Sequence, residues 1–325
     1  MNLRTFSQEI AEDTTTVGIR EHVEEVRGVV EGLQESSTEV RNVLDVLRKI
    51  KVSGYIQAQY RLTDIFNQPQ SIGQFSGGAF PANVKHQFQL RRGRLKVNYD
   101  NDLTQAVFEI DIVPSGVTVR DVYLSITEPW KRTFGLQAGV FYRPFGYETS
   151  FSSGSRESPE QSRVVQTLLP GERDLGAKLF YAPQDGPLSF LRADVGVFNG
   201  TGPNANEFDN FKDIIAQVTM QFPFDDFEID LGVSGYFGKV RNNTSDIFVR
   251  GGNGFVRSLD TNNAGSGVTR QYLGGDVQFY YDVPSVGGLI VRAEYIAGVQ
   301  PGTSATTVSP SAQPTTALYK RDFAG

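Results

Sequence analysis

The sequence of 325 residues contains no cysteine, two histidines and one tryptophan. Without cysteine the chain forms no disulfide bond. A hydrolase needs a histidine or paired acids beside a nucleophile, and the only histidines are His22 and His86. No Gly-rich phosphate loop, metal-ligand cluster or nucleophile elbow occurs, so we expect no enzyme activity, no cofactor and no metal site. The net charge of −6 argues against a nucleic-acid partner, which requires a basic face.

Long hydrophobic runs are also absent. No stretch of 18 or more apolar residues occurs, which excludes a transmembrane helix but leaves strands possible, because a membrane-crossing strand needs only about 9–11 residues. Hydrophobic residues make up 39 %, while there are 34 glycines and 11 % aromatic residues. This composition is typical of a protein that holds polar side chains around water and presents apolar ones to lipid.

About twelve amphipathic strands begin at Lys51, and the connections between them alternate between short and long. The short connections lie near Asn101, Pro129, Asp185, Pro223 and Pro284, and the long ones cover 63–85, 143–172, 199–210, 239–269 and 299–316. On the long side, only Pro114-Ser115-Gly116 is short. A membrane barrel has tight turns at one rim and extended loops at the other, so the alternation predicts an antiparallel transmembrane β-barrel over residues 51–325.

Each predicted strand has one apolar and one polar face. In the first strand, Val52, Ile56 and Leu62 alternate with Gln57 and Gln59, which is the two-residue period of a strand between two solvents. A soluble barrel would also alternate. Aromatic residues near the strand ends favour the membrane, where they would form an interfacial girdle: Tyr60, Tyr99, Trp130, Phe134, Tyr142, Tyr181, Phe222 and Tyr281.

The first fifty residues have a different period. Apolar residues follow heptad spacing from Ile19 to Leu47, with charged residues between them, which predicts an α-helical coiled coil over residues 1–50. Branched residues at both seam positions favour a trimer. Gly28 and the seam residue Ser37 weaken the helix, and a single amphipathic helix on the barrel rim is the alternative.

The two ends of the sequence predict a chain that is incomplete. Met1-Asn2-Leu3-Arg4 is followed by polar residues instead of the apolar region of a secretory signal. Residues 319–325 read as the beginning of a further strand. We therefore expect that the signal peptide and the last strands of the barrel are missing.

Several segments resemble the phosphate-selective porin O/P family, of the type common in Bacteroidota. They are VSGYIQ at 52–57, LRRGRL at 90–95, DVYL at 121–124, FGLQAGVF at 134–141, PFGYE at 144–148 and PGERDLG at 170–176. Their order and spacing agree with the family over residues 51–200. The resemblance implies a trimer of sixteen-stranded barrels whose third long loop folds inward and narrows a diffusion pore. A lysine often precedes Pro-Phe-Gly in the family, but Tyr142 and Arg143 stand here, so phosphate selectivity does not carry over.

A first group of candidate pore residues lies on the strand 87–99, whose apolar phase changes at Arg91-Arg92-Gly93. A bulge at Gly93 would direct Arg92, Arg94 and Lys96 towards the lumen, since cations on a lipid face cost about 2–4 kcal/mol each at the midplane. A positive ring there would attract anions. Alternatively, these cations only neutralise Glu109 and Asp111 on the next strand.

The loop 143–172 is the second candidate. It carries Arg143, Arg156 and Arg163, with Arg173 just after it, interspersed with acids. Opposite charges across a narrow neck would orient polar solutes. An ordinary solvated loop is the alternative. Because presumed inward-facing acids outnumber inward-facing bases, the lumen is predicted to be mixed in charge.

These features predict a bacterial outer-membrane porin, a passive channel for small polar or anionic solutes with a locally basic constriction. We expect a homotrimer surrounded by outer-membrane lipid, with the coiled coil in the periplasm, where it could also bind another protein. Two alternatives stay open. One is a selective phosphate or anion channel, and the other is a structural barrel that tethers the envelope.

Overall fold

The computed structural model describes residues 3–62, 84–158, 160–285 and 287–325, with side chains from residue 22 onward. The predicted connection 63–85, except for its last two residues, lies outside this part. Two compact units divide between Lys51 and Val52. The first consists of one long helix, α1 (Leu3–Arg48), and the second contains a single large sheet. Among the described residues, no helix is long and apolar enough to cross a membrane.

In α1 the predicted heptad residues from Val23 onward are solvent-exposed on the single chain. Val26, Leu33 and Leu47 have 54 %, 64 % and 56 % of their surface accessible. The side chain of Ile19 lies outside the described part. Arg27 lies within 3.9 Å of both Glu24 and Glu31, the spacing of intrahelical ion pairs. The helix is therefore confirmed, whereas the coiled coil stays a prediction.

The sheet contains fourteen strands, joined by short connections and by loops that hold two short helices and one 3₁₀ turn. The strands are β1 (Ile50–Leu62), β2 (His86–Asn101), β3 (Thr104–Val113), β4 (Gly116–Thr127), β5 (Phe134–Tyr142), β6 (Arg173–Tyr181), β7 (Leu191–Phe198), β8 (Asp213–Pro223), β9 (Phe227–Arg241), β10 (Asp246–Gly251), β11 (Gly254–Leu259), β12 (Gly267–Val283), β13 (Gly287–Gly302) and β14 (Leu318–Ala324). The helices are α2 (Tyr147–Ser150) and α3 (Arg163–Leu168), and the 3₁₀ turn is Thr261–Asn263.

Twelve of these strands, β1–β9 and β12–β14, are neighbours in chain order. The pairings described between them are antiparallel, with thirteen residue pairs between β12 and β13. This confirms the predicted all-β class, the twelve strands and the alternation of short and long connections. In the pairings between described residues the sheet is open, with β1 at one end and β11 at the other.

The prediction for 239–269 was wrong, because this segment is not a plain loop. It contains the end of β9, the start of β12 and the hairpin β10–β11 between them, and β10 pairs in parallel with β14 through Ile247 and Phe248. Gly251, Gly252 and Gly254 surround the turn of this hairpin and suit a tight turn. Because the segment is rich in glycine, its two strands of six residues each were not predicted from the sequence. The hairpin extends the sheet beyond β14.

The two faces of the sheet are opposite to those of a water-soluble protein. The apolar face is exposed: Leu136, Val233 and Leu273 keep 47 %, 61 % and 59 % of their surface accessible. The polar face is buried, and Arg94, Asp194 and Asp276 are each less than a tenth exposed. Such an arrangement is stable only where the outer surroundings are apolar, because exposed apolar patches of this extent are rare on soluble monomers.

Aromatic rings follow the rim formed by the short connections. The pairs Phe134–Tyr181, Phe190–Phe222, Phe224–Phe227 and Phe227–Phe279 have centroids 4.5–6.0 Å apart. Trp130 in the turn after β4 is 86 % exposed. Tyr142 does not join them. Its ring stacks on the buried Arg173 guanidinium at 3.7 Å, because that cation offers a stronger contact than solvent.

Candidate functional site: an inserted loop on the polar face

The connection between β5 and β6, residues 143–172, folds onto the polar face, and we name it the inserted loop. Its contacts reach strands on both sides of its origin. Tyr55 of β1 shares a hydrogen bond of 2.6 Å with Ser153, and the backbone amide of Glu148 donates to Glu294 of β13 at 3.0 Å. The loop therefore crosses the polar face from β1 to β13. This confirms the inward fold that the resemblance implied.

The loop is fixed at its start by Phe145 and Gly146. Phe145 is completely buried, and its ring meets the rings of Tyr236 and Tyr272 edge-on at 6.3 and 6.1 Å. Gly146 donates its amide to Ser234 at 3.1 Å. Its φ of 65° lies in the left-handed region, which favours glycine, and a Cβ there would require the Glu294 carboxylate to move.

The middle of the loop is held by ion pairs. Glu160 accepts hydrogen bonds from Arg91 and Arg92 of β2, the latter at 3.2 Å. Arg91 and Arg92 are adjacent yet reach the same carboxylate, so the strand changes phase between them. On the opposite side, Arg292 of β13 pairs with Glu157 and lies 4.7 Å from the ring centroid of Phe151.

Two loop groups titrate away from their ordinary values. Hydrogen bonds from its own backbone amide and from Arg292 hold the pKa of the Glu157 carboxyl below its usual range. Burial raises the pKa of the Tyr147 phenol, although Arg292 nearby opposes the shift. Both groups therefore keep their neutral-pH charge states while the loop is docked.

The predicted cations of β2 lie on the polar face, but two of the three are buried in ion pairs. Arg94 lies 3.3 Å from Glu109 and 3.8 Å from Asp111, both on β3. Arg92 is only 4 % exposed and bonds Glu160. Lys96 lies 3.8 Å from Glu109 and keeps 39 % of its side chain accessible. Neutralisation of Glu109 and Asp111, the alternative considered from the sequence, therefore accounts for Arg94.

The side chains of Arg156, in the middle of the loop, and Arg173, just after it, are buried as well. Arg173 binds Asp121 at 2.8 Å and Glu172 at 2.7 Å. Arg156 lies 3.9 Å from Glu172 and donates to the Phe151 carbonyl at 2.7 Å. Because each of these guanidinium groups faces a carboxylate, their charges are locally compensated.

Arg143 joins this cluster through the backbone, because its guanidinium donates to the Arg173 carbonyl at 3.1 Å. Arg143 is 2 % exposed and lies 3.4 Å from Asp174 of β6. Arg163 begins α3, away from the β2–β3 acids. The nine candidate residues thus divide. Arg94, Lys96, Glu109, Asp111 and Arg173 form one connected group, Arg92 and Arg156 join loop carboxylates, Arg143 joins Asp174 and the Arg173 carbonyl, and Arg163 begins α3.

An open cavity of about 520 Å³ lies beside the start of the inserted loop. Its charged lining includes Lys96, Lys178 and Arg192 on β2, β6 and β7, with Asp194 beside the last two and Asp276 on β12. Lys178 and Arg192 both lie 2.8 Å from Asp194, but Arg192 stays 48 % exposed. The accessible bases and the acid of β12 thus stand on different strands around the cavity.

The buried ion pair Arg270–Asp213 joins β12 to β8 and was not predicted from the sequence. Arg270 also donates to the Gly200 carbonyl at 3.0 Å and to Ser309 at 2.9 Å, which holds two long loops against the sheet. The strand period could have shown it, since Arg270 shares parity with Asp276. Within the described part of the chain, no group of His, Asp or Glu side chains is arranged to hold a metal ion.

No family model matches the chain, and no curated protein matches it. Among solved structures it is similar to OmpT of Vibrio cholerae, an outer membrane protein folded in vitro and described in a trimer form. The identity is 13 %, with 85 % of this chain and 96 % of that chain covered, and the TM-score is 0.29. A likeness this weak carries no argument, and membership of the phosphate-selective porin O/P family stays a prediction.

Proposed function

We propose that this protein is an outer-membrane β-barrel porin through which small hydrophilic solutes diffuse passively. The observation that carries the proposal is the inverted sheet, with an exposed apolar face, a buried charged face and a loop folded onto the charged side. An apolar exterior suits lipid, and a polar interior suits water. The ring of aromatics at the short-connection rim supports the same assignment, because such rings favour the membrane interface.

The inserted loop is the constriction in this proposal. It crosses the polar face and leaves the 520 Å³ cavity beside it as the route for solutes. Lys96 and Arg192 are the accessible bases on this route, while Arg92, Arg94, Arg143, Arg156 and Arg173 are buried beside carboxylates. A charge with an opposite charge beside it adds little net field to the route, so we propose a weakly selective channel.

The charged side chains that line the cavity also favour an orientation for dipolar solutes. Lys96, Lys178 and Arg192 belong to β2, β6 and β7, and Asp276 belongs to β12. A field between the two groups would align a zwitterion across the cavity. A dedicated phosphate channel would require several accessible cations, and of the four basic side chains in this lining Lys96 and Arg192 alone keep more than a third of their side chains exposed.

Helix α1 is proposed to join three copies on the periplasmic side. Its exposed seam residues, such as Val30 and Leu44, would be buried between helices, and branched residues at both seam positions favour three strands. The helix is also the feature that favours the alternative of an envelope tether. In that case its partner would be another periplasmic protein.

Planar-bilayer recording of the purified full chain tests the function. Stepwise openings in threes, with a small reversal potential in a salt gradient, would support a weakly selective trimeric porin. A large anion-selective reversal potential would favour the phosphate or anion channel. Heat-modifiable, folded protein that gives no conductance would refute the porin and favour the tether, which a captured periplasmic partner would then identify.

A further inference from the structure

A groove of about 430 Å³ lies at the long-connection end of β8, β9 and β12. Its walls include Phe211, Lys212, Phe237, Lys239, Thr269 and Gln271. Phe237 pairs in register with Ile214 on β8 and with Gln271 on β12, and Lys239 pairs with Thr269. Phe237 and Ile214 are 43 % and 50 % exposed, so the groove opens on the apolar face and not on the solute route.

The outward-facing residues of β9 change from apolar to basic at this groove. Val233 and Phe237 are exposed apolar residues, and the next outward positions are Lys239 and Arg241. A strand that spans lipid should end its apolar column where the headgroups begin. Two consecutive cations at that level would face the phosphate layer, because a lysine or arginine on the lipid face is costly at the midplane but nearly free at the interface.

Of the bases that line the groove, Lys212 and Arg270 are paired with acids, whereas Lys239 is in no ion pair among the described residues. Lys212 forms an ion pair with Glu207. The Lys239 ammonium lies 5.8 Å from the Phe211 ring centroid, and among the described residues neither Lys239 nor Arg241 has a carboxylate within ion-pair distance. At the opposite rim, the β8–β9 turn carries Asp225 and Asp226 instead. On β9, the positive charge therefore lies at the long-connection end.

We propose that this groove binds a phosphorylated glycolipid of the outer leaflet, of the lipid A type. Lys239 and Arg241 would contact its phosphate, and an acyl chain would lie along Phe237 and Val233. The inference rests on the proposed function, since the long connections of an outer-membrane barrel face the exterior. A lysine beside an anionic headgroup contributes enough for about a fivefold change in affinity.

The test measures binding of bisphosphorylated lipid A to the full chain in detergent by native mass spectrometry. Lys239→Gln should weaken binding about fivefold, and adding Arg241→Gln should weaken it further. Lys131→Gln, in the turn between β4 and β5, is the matched control and should bind as the parent does. Unchanged binding by the double variant would overturn the proposal.

Two competitors identify the ligand. Phosphatidylglycerol should displace lipid A only weakly, and equal displacement would assign the groove to any anionic lipid and overturn the glycolipid proposal. Lipid A without its phosphates should bind at least fivefold less tightly, and equal binding would likewise overturn it. Conductance of the parent protein is recorded in parallel. Open channels without lipid A binding would refute this inference alone, whereas absent channels would refute the porin.

Discussion

Replacing Phe145 by alanine should release the inserted loop and widen the pore. Phe145 is fully buried where the loop begins, and its ring contacts Tyr236 of β9 and Tyr272 of β12. Truncating a buried phenylalanine to alanine costs about 3–5 kcal/mol. At about 4 kcal/mol, the ratio of docked to undocked loop would fall roughly a thousandfold.

The loss should act on the loop and leave the sheet intact. The strand pairing, including fifteen residue pairs between β9 and β12, does not involve the Phe145 side chain. We therefore expect heat-modifiable, folded protein whose single-channel conductance is larger and noisier than that of the parent. Liposome swelling should show entry of larger sugars, because the loop no longer crosses the polar face.

One control lies on β5, the strand before the inserted loop, and the other keeps position 145. Phe134→Ala removes a ring at the start of β5 that is 60 % exposed on the apolar face, and conductance should not change. Phe145→Leu keeps most of the buried volume and should stay close to the parent. If folded Phe145→Ala protein has the parent's conductance and sugar exclusion, the inserted loop is not the constriction and the reasoning fails.

Three further predictions address charge, pH and assembly. Glu160→Gln removes the carboxylate shared by Arg91 and Arg92, so the reversal potential should move towards anion preference. Glu207→Gln, in the loop after β7, is the control. An unchanged reversal potential in Glu160→Gln would show that these arginines do not face the route. The Glu128 carboxylate accepts hydrogen bonds from the amides of Thr133, Lys131 and Trp130, which hold its pKa below the usual 4.5. Its contribution to stability is therefore present above pH 4.5 and lost as pH falls through the lowered pKa. Urea unfolding at several pH values measures this: between pH 3 and 5, the free energy of unfolding should fall less steeply with falling pH in Glu128→Gln than in the parent. An unaltered slope would contradict this. Leu33→Asp at a seam position should reduce the trimer in sedimentation experiments while Asn42→Asp on the outer face does not, and a persistent trimer would exclude the helix as its cause.

The strands were predictable from the sequence because their two faces meet different solvents. Val52, Ile56 and Leu62 of β1 alternate with polar residues, and this signal is local, with a period of two residues. The alternation of short and long connections can also be read directly from the sequence. The hairpin β10–β11 was not predicted, because its glycines and short strands resemble a loop in the sequence. Its pairing with β14 becomes visible in the structure alone.

The partners of the candidate site could not be predicted in the same way. Glu160 lies 69 and 68 positions from Arg91 and Arg92, and no local period links them. The inward direction of the β2 cations followed from their parity and from the cost of charge in lipid. Their burial did not follow, because it depends on where a 30-residue loop docks.

The buried charges of the polar face and the inserted loop depend on each other. Arg91, Arg92, Arg120 and Arg173 find acids on the loop, in Glu160 and Glu172. Removing one partner from a buried pair costs about 3–5 kcal/mol, so an undocked loop would leave several charges uncompensated unless water entered to solvate them. In the proposed porin, docking would therefore take bases away from the solute route and fix the width of that route at the same time. Selectivity would then depend on the accessible residues Lys96 and Arg192.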